Sequence, residues 1–102
     1  MLSSDQNVKT ATDVRQLRKN AGKWLKEQRR ISGLSQMDLA TSIGLKYYTF
    51  ISQVENGFGR VPSGSMGKWA RALGIPPALF TRTLLGYYDP DLHRLLFEEE
   101  RS

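Results

Sequence analysis

Residues 34–57 constrain the fold of this chain more than any other segment. Their sequence, LSQMDLATSIGLKYYTFISQVENG, contains two short runs of apolar residues at helical spacing, joined at Gly44. Ser35 and Asp38 match a shortened capping box, so the first helix should begin after Ser35 and end at Gly44. The second helix is predicted over residues 47–56. Two short helices joined by a turn favour an all-α fold.

Each of these helices has one apolar side that should face a protein core. The residues concerned are Met37, Leu39, Ala40 and Ile43 in the first helix, and Tyr47, Phe50, Ile51 and Val54 in the second.

The opposite side of the second helix is polar but uncharged. Thr49, Ser52, Gln53 and Asn56 recur there at i, i+3, i+4 and i+7. Such side chains match the base edges of a DNA major groove, where Gln can bind adenine at two points and Thr or Ser can bond to several bases. The alternative is an ordinary solvated face. However, that kind of face usually contains Glu and Lys pairs, and none occurs here.

Three segments match a known set of motifs, in the same order. They are GLSQMDLA at 33–40, FISQVENG at 50–57, and Pro62 followed by KWARALGI at 68–75. On these motifs the chain resembles the lambda-repressor-like, Cro/Xre-type helix-turn-helix family over about residues 20–80. The resemblance implies a compact five-helix DNA-binding domain in which the 47–56 helix is the recognition helix and enters the major groove.

The resemblance also implies roles for residues at the base of the recognition helix. Gln36, at the start of its helix, would contact a DNA phosphate and orient a recognition residue, and the positive end of the helix favours that contact. Glu55 would pair inside the protein with Arg29 of the first helix. Glu55 is therefore expected to be structural rather than catalytic.

One departure from the family pattern lies between the two motif helices. After Gly44 the chain has one residue more than the commonest family spacing. Either the turn is longer, or the recognition helix starts earlier with Lys46, Tyr47 and Tyr48 near its tip. The register of the first contacting residues, Tyr48 and Thr49, then shifts by up to one position.

Residues around the recognition helix are expected to hold the DNA backbone. Lys46 lies at its tip and Arg60 in the following loop, although a solvated loop residue is the alternative for Arg60. Backbone amides of Asn56 and Gly57 could meet a phosphate. The predicted DNA-binding residues are Gln36, Lys46, Tyr48, Thr49, Ser52, Gln53, Asn56 and Arg60.

The flanking sequence predicts three further helices in the domain. The first covers residues 13–31, begins at a Thr12 cap, and could be kinked or split at Gly22. Another begins at a Ser65 cap and ends at Gly74, with an apolar side of Met66, Trp69, Ala70 and Leu73. A fifth helix is predicted at 77–85, with Leu79, Phe80, Leu84 and Leu85 as its apolar residues.

The chain is expected to divide into a flexible tail at 1–11, a DNA-binding domain at 12–86 and a C-terminal tail at 87–102. Asp89 and Pro90 favour a short last helix, although a short strand near 93–97 is the alternative. The apolar residues of this tail are Tyr87, Tyr88, Leu92, Leu95, Leu96 and Phe97. They could fold back on the domain or form a homodimer interface, with the acidic residues 98–100 solvated.

Composition narrows the class of protein. The 102 residues carry a net charge of +5, contain no Cys and include a single His. The first 34 residues hold eight Lys and Arg against three acids, whereas residues 76–102 hold three against five, which suits a nucleic-acid binder. We find no catalytic set, metal-ligand spacing or phosphate-binding glycine loop, since GFGRVPSG lacks the lysine of a P-loop. No membrane span or leader is recognised, so a cytoplasmic protein is expected.

These observations lead to one expected function and one alternative. The first is a sequence-specific transcriptional regulator, expected to be a repressor that binds an inverted repeat in double-stranded DNA as a homodimer. The alternative is an antitoxin-like or accessory protein-interaction module with secondary DNA binding. The protein is not expected to be an enzyme. It is also not expected to need a cofactor, a metal or a small-molecule ligand.

Overall fold

Six α-helices make up the computed structural model of the chain, which describes residues 11–98. They are α1 (Ala11–Ile31), α2 (Gln36–Ser42), α3 (Thr49–Glu55), α4 (Met66–Leu73), α5 (Pro77–Tyr88) and α6 (Pro90–Phe97). No strand occurs between residues 11 and 98, so the all-α class is confirmed, and the alternative strand near 93–97 is wrong. None of the helices in this part of the chain is long and apolar enough to cross a membrane.

Both chain ends lie outside the described residues. Of the tail predicted at 1–11, the structure describes only Ala11, which belongs to α1. Of the acidic residues 98–100, it describes only Glu98.

The first helix is continuous, as predicted over residues 13–31, and the alternative of a split at Gly22 is wrong. Because α1 already includes Ala11, Thr12 lies inside the helix and is not its cap. Gly22 does not interrupt α1 but allows a close approach to α3, since a Cβ on Gly22 would lie 2.2 Å from the backbone oxygen of Glu55. The glycine therefore marks a helix crossing rather than a helix end.

The core lies between α1, α3, α4 and α5, and α2 closes one side of it. Its largest fully buried side chains are Trp69, Phe80, Leu25, Leu39, Ile51, Leu84, Val54 and Val61. The predicted inner side of α4 is confirmed, because Met66, Trp69, Ala70 and Leu73 are all buried. The prediction that Met37, Tyr47 and Leu79 face the core is wrong, because their side chains are exposed. The exposed fractions are 43% for Met37, 67% for Tyr47 and 55% for Leu79.

The predicted Ser65 cap of α4 is wrong, because a 3-10 turn precedes the helix. A short 3-10 turn at Ser63–Ser65 runs directly into the helix. Ser65 therefore has a helical backbone conformation (φ −106°, ψ −5°), and its side chain makes no capping bond. A capping serine needs an extended backbone to present its oxygen to the helix, which explains the difference.

The fifth helix is three residues longer than predicted, because tertiary contacts carry it through Gly86. Tyr88 in its last turn is buried, and its hydroxyl accepts a hydrogen bond from the Val61 amide at 3.0 Å. At Gly86 a Cβ would lie 3.3 Å from the His93 ring of α6, so this glycine accommodates a neighbour instead of ending a helix. As predicted, Asp89 caps α6, with its carboxylate accepting from the Leu92 amide at 3.2 Å.

Candidate nucleic-acid interface

Helix α2 begins after Ser35 and ends before Gly44, as the sequence predicts. The Ser35 hydroxyl accepts from the Asp38 amide, and the Asp38 carboxylate accepts from the Ser35 amide, both at 2.9 Å. Hydrogen bonds from the Ser35 backbone and then its side chain lower the pKa of Asp38 below its ordinary value. At the other end Gly44 has φ +84°, a left-handed conformation that glycine adopts without strain. Local chemistry thus fixes both ends of α2.

The residues between Gly44 and Thr49 form a turn and do not belong to α3. The predicted start at residue 47 is wrong, because α3 begins at Thr49 and Tyr48 takes the cap position without a side-chain bond. The Leu45 amide donates to the Ala40 carbonyl at 2.8 Å, and the Leu45 side chain packs against the core. Because Leu45 is held against the core, the chain after it forms a turn before α3 begins. Tyr47 and Tyr48 lie in this turn and are exposed.

The outer face of α3 matches its predicted chemistry. Thr49, Gln53 and Asn56 are exposed, and Ser52 is half-buried, while Ile51 and Val54 on the opposite side are fully buried.

Two details of that face limit how freely its side chains move. The Asn56 amide group donates to the Ser52 hydroxyl at 3.4 Å. Thr49 and Gln53 line a surface depression of about 340 Å³ together with Lys46 and Tyr47 of the turn. The turn and the helix therefore share one depression, which the apolar side chains of Leu45 and Phe50 also line.

A buried ion pair holds α3 against α1. The Arg29 guanidinium donates to the two Glu55 carboxylate oxygens at 2.6 and 3.1 Å, as the resemblance implied. Arg29 also donates to the Leu34 carbonyl at 2.7 Å. The Gln36 amide group donates to Glu55 at 3.0 Å, which joins α2 to the same pair. Three helices thus meet at one carboxylate.

Gln36 has a partner that the resemblance did not imply. Its amide nitrogen contacts the inward-facing Glu55, and its role in orienting a recognition residue stays a prediction. Its side chain is half-buried at the start of α2. Contact between Gln36 and a phosphate stays a prediction.

The backbone amides at the end of α3 are not available to a phosphate. Asn56 donates to the Ser52 carbonyl at 3.0 Å and Gly57 to the Val54 carbonyl at 3.2 Å. Gly57 is also buried against the α1 backbone, since a Cβ on this glycine would lie 2.8 Å from the Lys19 Cα. The expectation that these amides meet a phosphate is therefore wrong.

The other predicted contact residues surround α3. Lys46 is exposed, with its ammonium 5.9 Å from the centre of the Tyr47 ring. Tyr48 is exposed beside it. Arg60 is half-buried, with its guanidinium carbon 4.3 Å from the centre of the Tyr88 ring. Arg60 is therefore held by stacking and is not the freely solvated loop residue of the alternative.

Three residues close to this surface, Arg15, Arg18 and Phe58, were not predicted from the sequence. The Arg15 guanidinium carbon lies 3.8 Å from the centre of the Phe58 ring, just past the end of α3. The signal was present as helical register, because Arg15, Gly22 and Arg29 are seven residues apart and share one side of α1.

No metal centre is found in the described part of the chain, where no three His, Cys, Asp or Glu residues come together. No protein-family model matches the chain, and no curated protein matches it.

Proposed function

We propose that this chain is a sequence-specific DNA-binding transcriptional regulator of the lambda-repressor-like, helix-turn-helix kind. One observation carries the proposal. The outer face of α3 presents the uncharged hydrogen-bonding side chains of Thr49, Gln53 and Asn56, while its inner face is fully buried. A helix with these two faces suits a major groove, whose base edges offer donors and acceptors to such side chains.

The dimensions of α3 fit this role. Seven residues span about 10 Å of helix, and successive base pairs are about 3.4 Å apart, so the whole outer face can contact about three base pairs. Gln53 in the middle of that face is the best placed to bind a base at two points. Lys46 and Arg60 on either side carry the positive charge that phosphates require.

The buried ion pair supports the same proposal. Base recognition needs side chains held on a rigid element, because loose groups lose binding free energy when they are ordered. The Arg29–Glu55 pair and the Gln36 amide fix α3 to two other helices from below. The outer face is thereby fixed before any DNA is bound.

We propose further that the chain binds an inverted repeat as a homodimer through α6. Leu92, Leu95 and Leu96 occupy one side of α6, and all three are exposed. Burying such leucines against a second copy would contribute about 1.5–3 kcal/mol for each side chain fully covered. Two recognition helices about 34 Å apart would then contact successive major grooves, and the bound dimer would repress by covering a promoter.

The exposed leucines of α6 also favour the alternative, a module that binds another protein and contacts DNA secondarily. A partner that co-purifies with the chain and is lost on removal of α6 would support this alternative. Such a truncation should start after Asp89 and leave Tyr88, because Tyr88 is buried in α5 and anchors the Val61 amide.

Selection of bound sites from a pool of random DNA duplexes tests the proposed function. We expect enrichment of one inverted repeat whose half-site centres are about 10 base pairs apart, or a multiple of that spacing. A single unrepeated site would retain sequence recognition and overturn the dimer. No enriched site would overturn sequence recognition and favour the protein-interaction module.

A further inference from the structure

Three arginines gather just past the end of α3, and two of them lie outside the predicted DNA-binding set. We call Arg15 and Arg18 of α1 and Arg60 of the following loop the arginine patch. The Arg15 guanidinium carbon lies 3.8 Å from the centre of the Phe58 ring, and that of Arg60 lies 4.3 Å from the centre of the Tyr88 ring. Stacking holds a guanidinium in place while its N–H edge still points outwards.

The arginine patch has no carboxylate partner among residues 11–98, since none of its three guanidinium groups forms an ion pair there. Burial raises the pKa of Tyr88, while the Val61 hydrogen bond and the charges of Arg60 and Arg18 oppose that effect. Arg18 and Arg60 are therefore close enough to act on the same phenol.

Part of the patch is concave. Arg15 and Arg18, with Val14, Gly57 and Phe58, line a depression of about 350 Å³. Phe58 forms one wall, and its side chain is 65% exposed. Two arginines in one depression beside an exposed ring suit a ligand that brings negative charge and some apolar surface, as a sugar-phosphate chain does.

The arginine patch lies beside the C-terminal end of α3. Asn56 ends the polar face, and the next residue, Gly57, touches the Lys19 backbone of α1. Arg15 lies four residues before Lys19, which is about 6 Å along the helix. The patch therefore adjoins the end of α3 that carries Asn56.

We propose that the arginine patch binds the phosphate backbone of duplex DNA beside the site contacted by α3. This inference rests on the proposed function. Phosphates of one strand follow each other at about 3.4 Å of helix axis, so a patch of this size meets about two of them. Arginine suits them because its planar fork can donate two parallel hydrogen bonds to a phosphate. An acidic polypeptide would match the charge, but the position of the patch beside the end of α3 favours DNA.

The salt dependence of DNA binding tests the inference. The Arg15→Ala/Arg18→Ala variant should bind all duplexes more weakly, and its slope of log affinity against log salt should fall by about two, because each lost phosphate contact removes about 0.9. The matched control is Lys23→Ala/Lys26→Ala, which removes the same charge from exposed positions of α1 outside the patch. Its slope should stay close to that of the unmodified chain. The Arg15→Lys/Arg18→Lys variant should recover most of the slope.

The outcomes separate the inference from the proposed function. Sequence-specific binding with an unchanged slope in Arg15→Ala/Arg18→Ala would overturn the patch and leave α3 as the reader of bases. Equal slope losses in the patch variant and its control would also overturn the inference. Positive charge anywhere on α1 would then contribute as much to DNA binding as the arginine patch does. Binding of polyglutamate that is lost in the patch variant, with the DNA slope unchanged, would assign the surface to a protein partner. Failure of the unmodified chain to bind any duplex would overturn both proposals.

Discussion

The helices α3 and α6 are almost equal in length but differ in what they bury and what they expose. In α3, Ile51, Val54 and Glu55 are buried, and the outer side is polar. In α6 no residue is buried, and the outer side carries leucines. Helix α3 is held by buried contacts with the rest of the domain and presents hydrogen-bonding groups. Helix α6 is held mainly by α5 and presents apolar surface of the kind that proteins cover on association.

Because of this difference, the two helices should respond differently to substitution. Changes beneath α3 should cost folding free energy, because its position depends on buried contacts. Changes on the outer side of α6 should cost little folding free energy and act on association instead. The expected loss in the free energy of unfolding therefore falls steadily from Glu55→Ala to Leu95→Glu.

Glu55→Ala should give the largest loss, about 3–5 kcal/mol, because it leaves the buried Arg29 charge without its partner. Urea unfolding at neutral pH measures the effect. The control is Glu27→Ala on the exposed side of α1, which should stay within about 0.5 kcal/mol of the unmodified chain. Equal losses in the two variants would show that the ion pair does not hold α3.

Gly22→Ala should destabilise the chain by about 1–3 kcal/mol, because the added methyl group collides with the α3 backbone. A Cβ at Gly22 would lie 2.2 Å from the Glu55 oxygen, whereas one at Gly64 would meet nothing within 4 Å. Thermal unfolding should therefore separate Gly22→Ala from the matched Gly64→Ala. A stabilised Gly22→Ala, as expected for an unhindered helix position, would contradict the close crossing.

Tyr88→Phe should cost about 1–2 kcal/mol, because it leaves the buried Val61 amide without an acceptor. Burial raises the pKa of Tyr88 above its ordinary value. The phenol therefore contributes its full stability below about pH 10, the pKa of an unfolded tyrosine, and loses it as the pH rises towards the folded pKa. The difference in stability between the unmodified chain and Tyr88→Phe should shrink over that rise.

The exposed Tyr47→Phe serves as the control for removal of a tyrosine hydroxyl. At neutral pH its free energy of unfolding should stay within about 0.5 kcal/mol of that of the unmodified chain. A constant difference for Tyr88→Phe from about pH 8 to about pH 11 would mean that the phenol does not titrate in a buried site.

Leu95→Glu should have the smallest effect on the folded monomer, within about 0.5 kcal/mol, because this side chain is 57% exposed. It should nevertheless convert a dimer to a monomer in sedimentation, since each copy would bring a charge into an apolar interface. The control Ser63→Glu adds the same charge in the exposed turn before α4 and should keep the mass of a dimer. A dimeric Leu95→Glu would exclude α6 as the interface.

Local sequence chemistry predicted those parts of the fold that depend on neighbouring residues. The Ser35–Asp38 capping box and the left-handed turns at Gly44 and Gly74 lie where expected, because caps and turns are decided within a few residues. The buried sides of α3 and α4 followed from helical spacing. The polar face of α3 followed from the same periodicity, so this part of the candidate surface was available from the sequence.

The errors occur where distant contacts decide the structure. Gly86 resembles a helix end, but the Tyr88–Val61 bond across 27 residues carries α5 through it. Tyr47 has an apolar ring at helical spacing, yet Leu45 takes the inward position and leaves Tyr47 in the turn. Helical register places Arg15 on the same side of α1 as Arg29, but its stacking on Phe58 depends on how α1 packs against the loop after α3. No local pattern states these pairings.

Gln53→Ala provides the most direct test of α3 as the helix that reads bases. Affinity is measured for the selected site and for a random duplex at one salt concentration, with Gln16→Ala on the exposed side of α1 as the control. Gln53→Ala should lose about 1–3 kcal/mol on the selected site, roughly 5- to 150-fold, and bind the random duplex unchanged. Equal losses on both duplexes, or no loss on either, would contradict base recognition by α3.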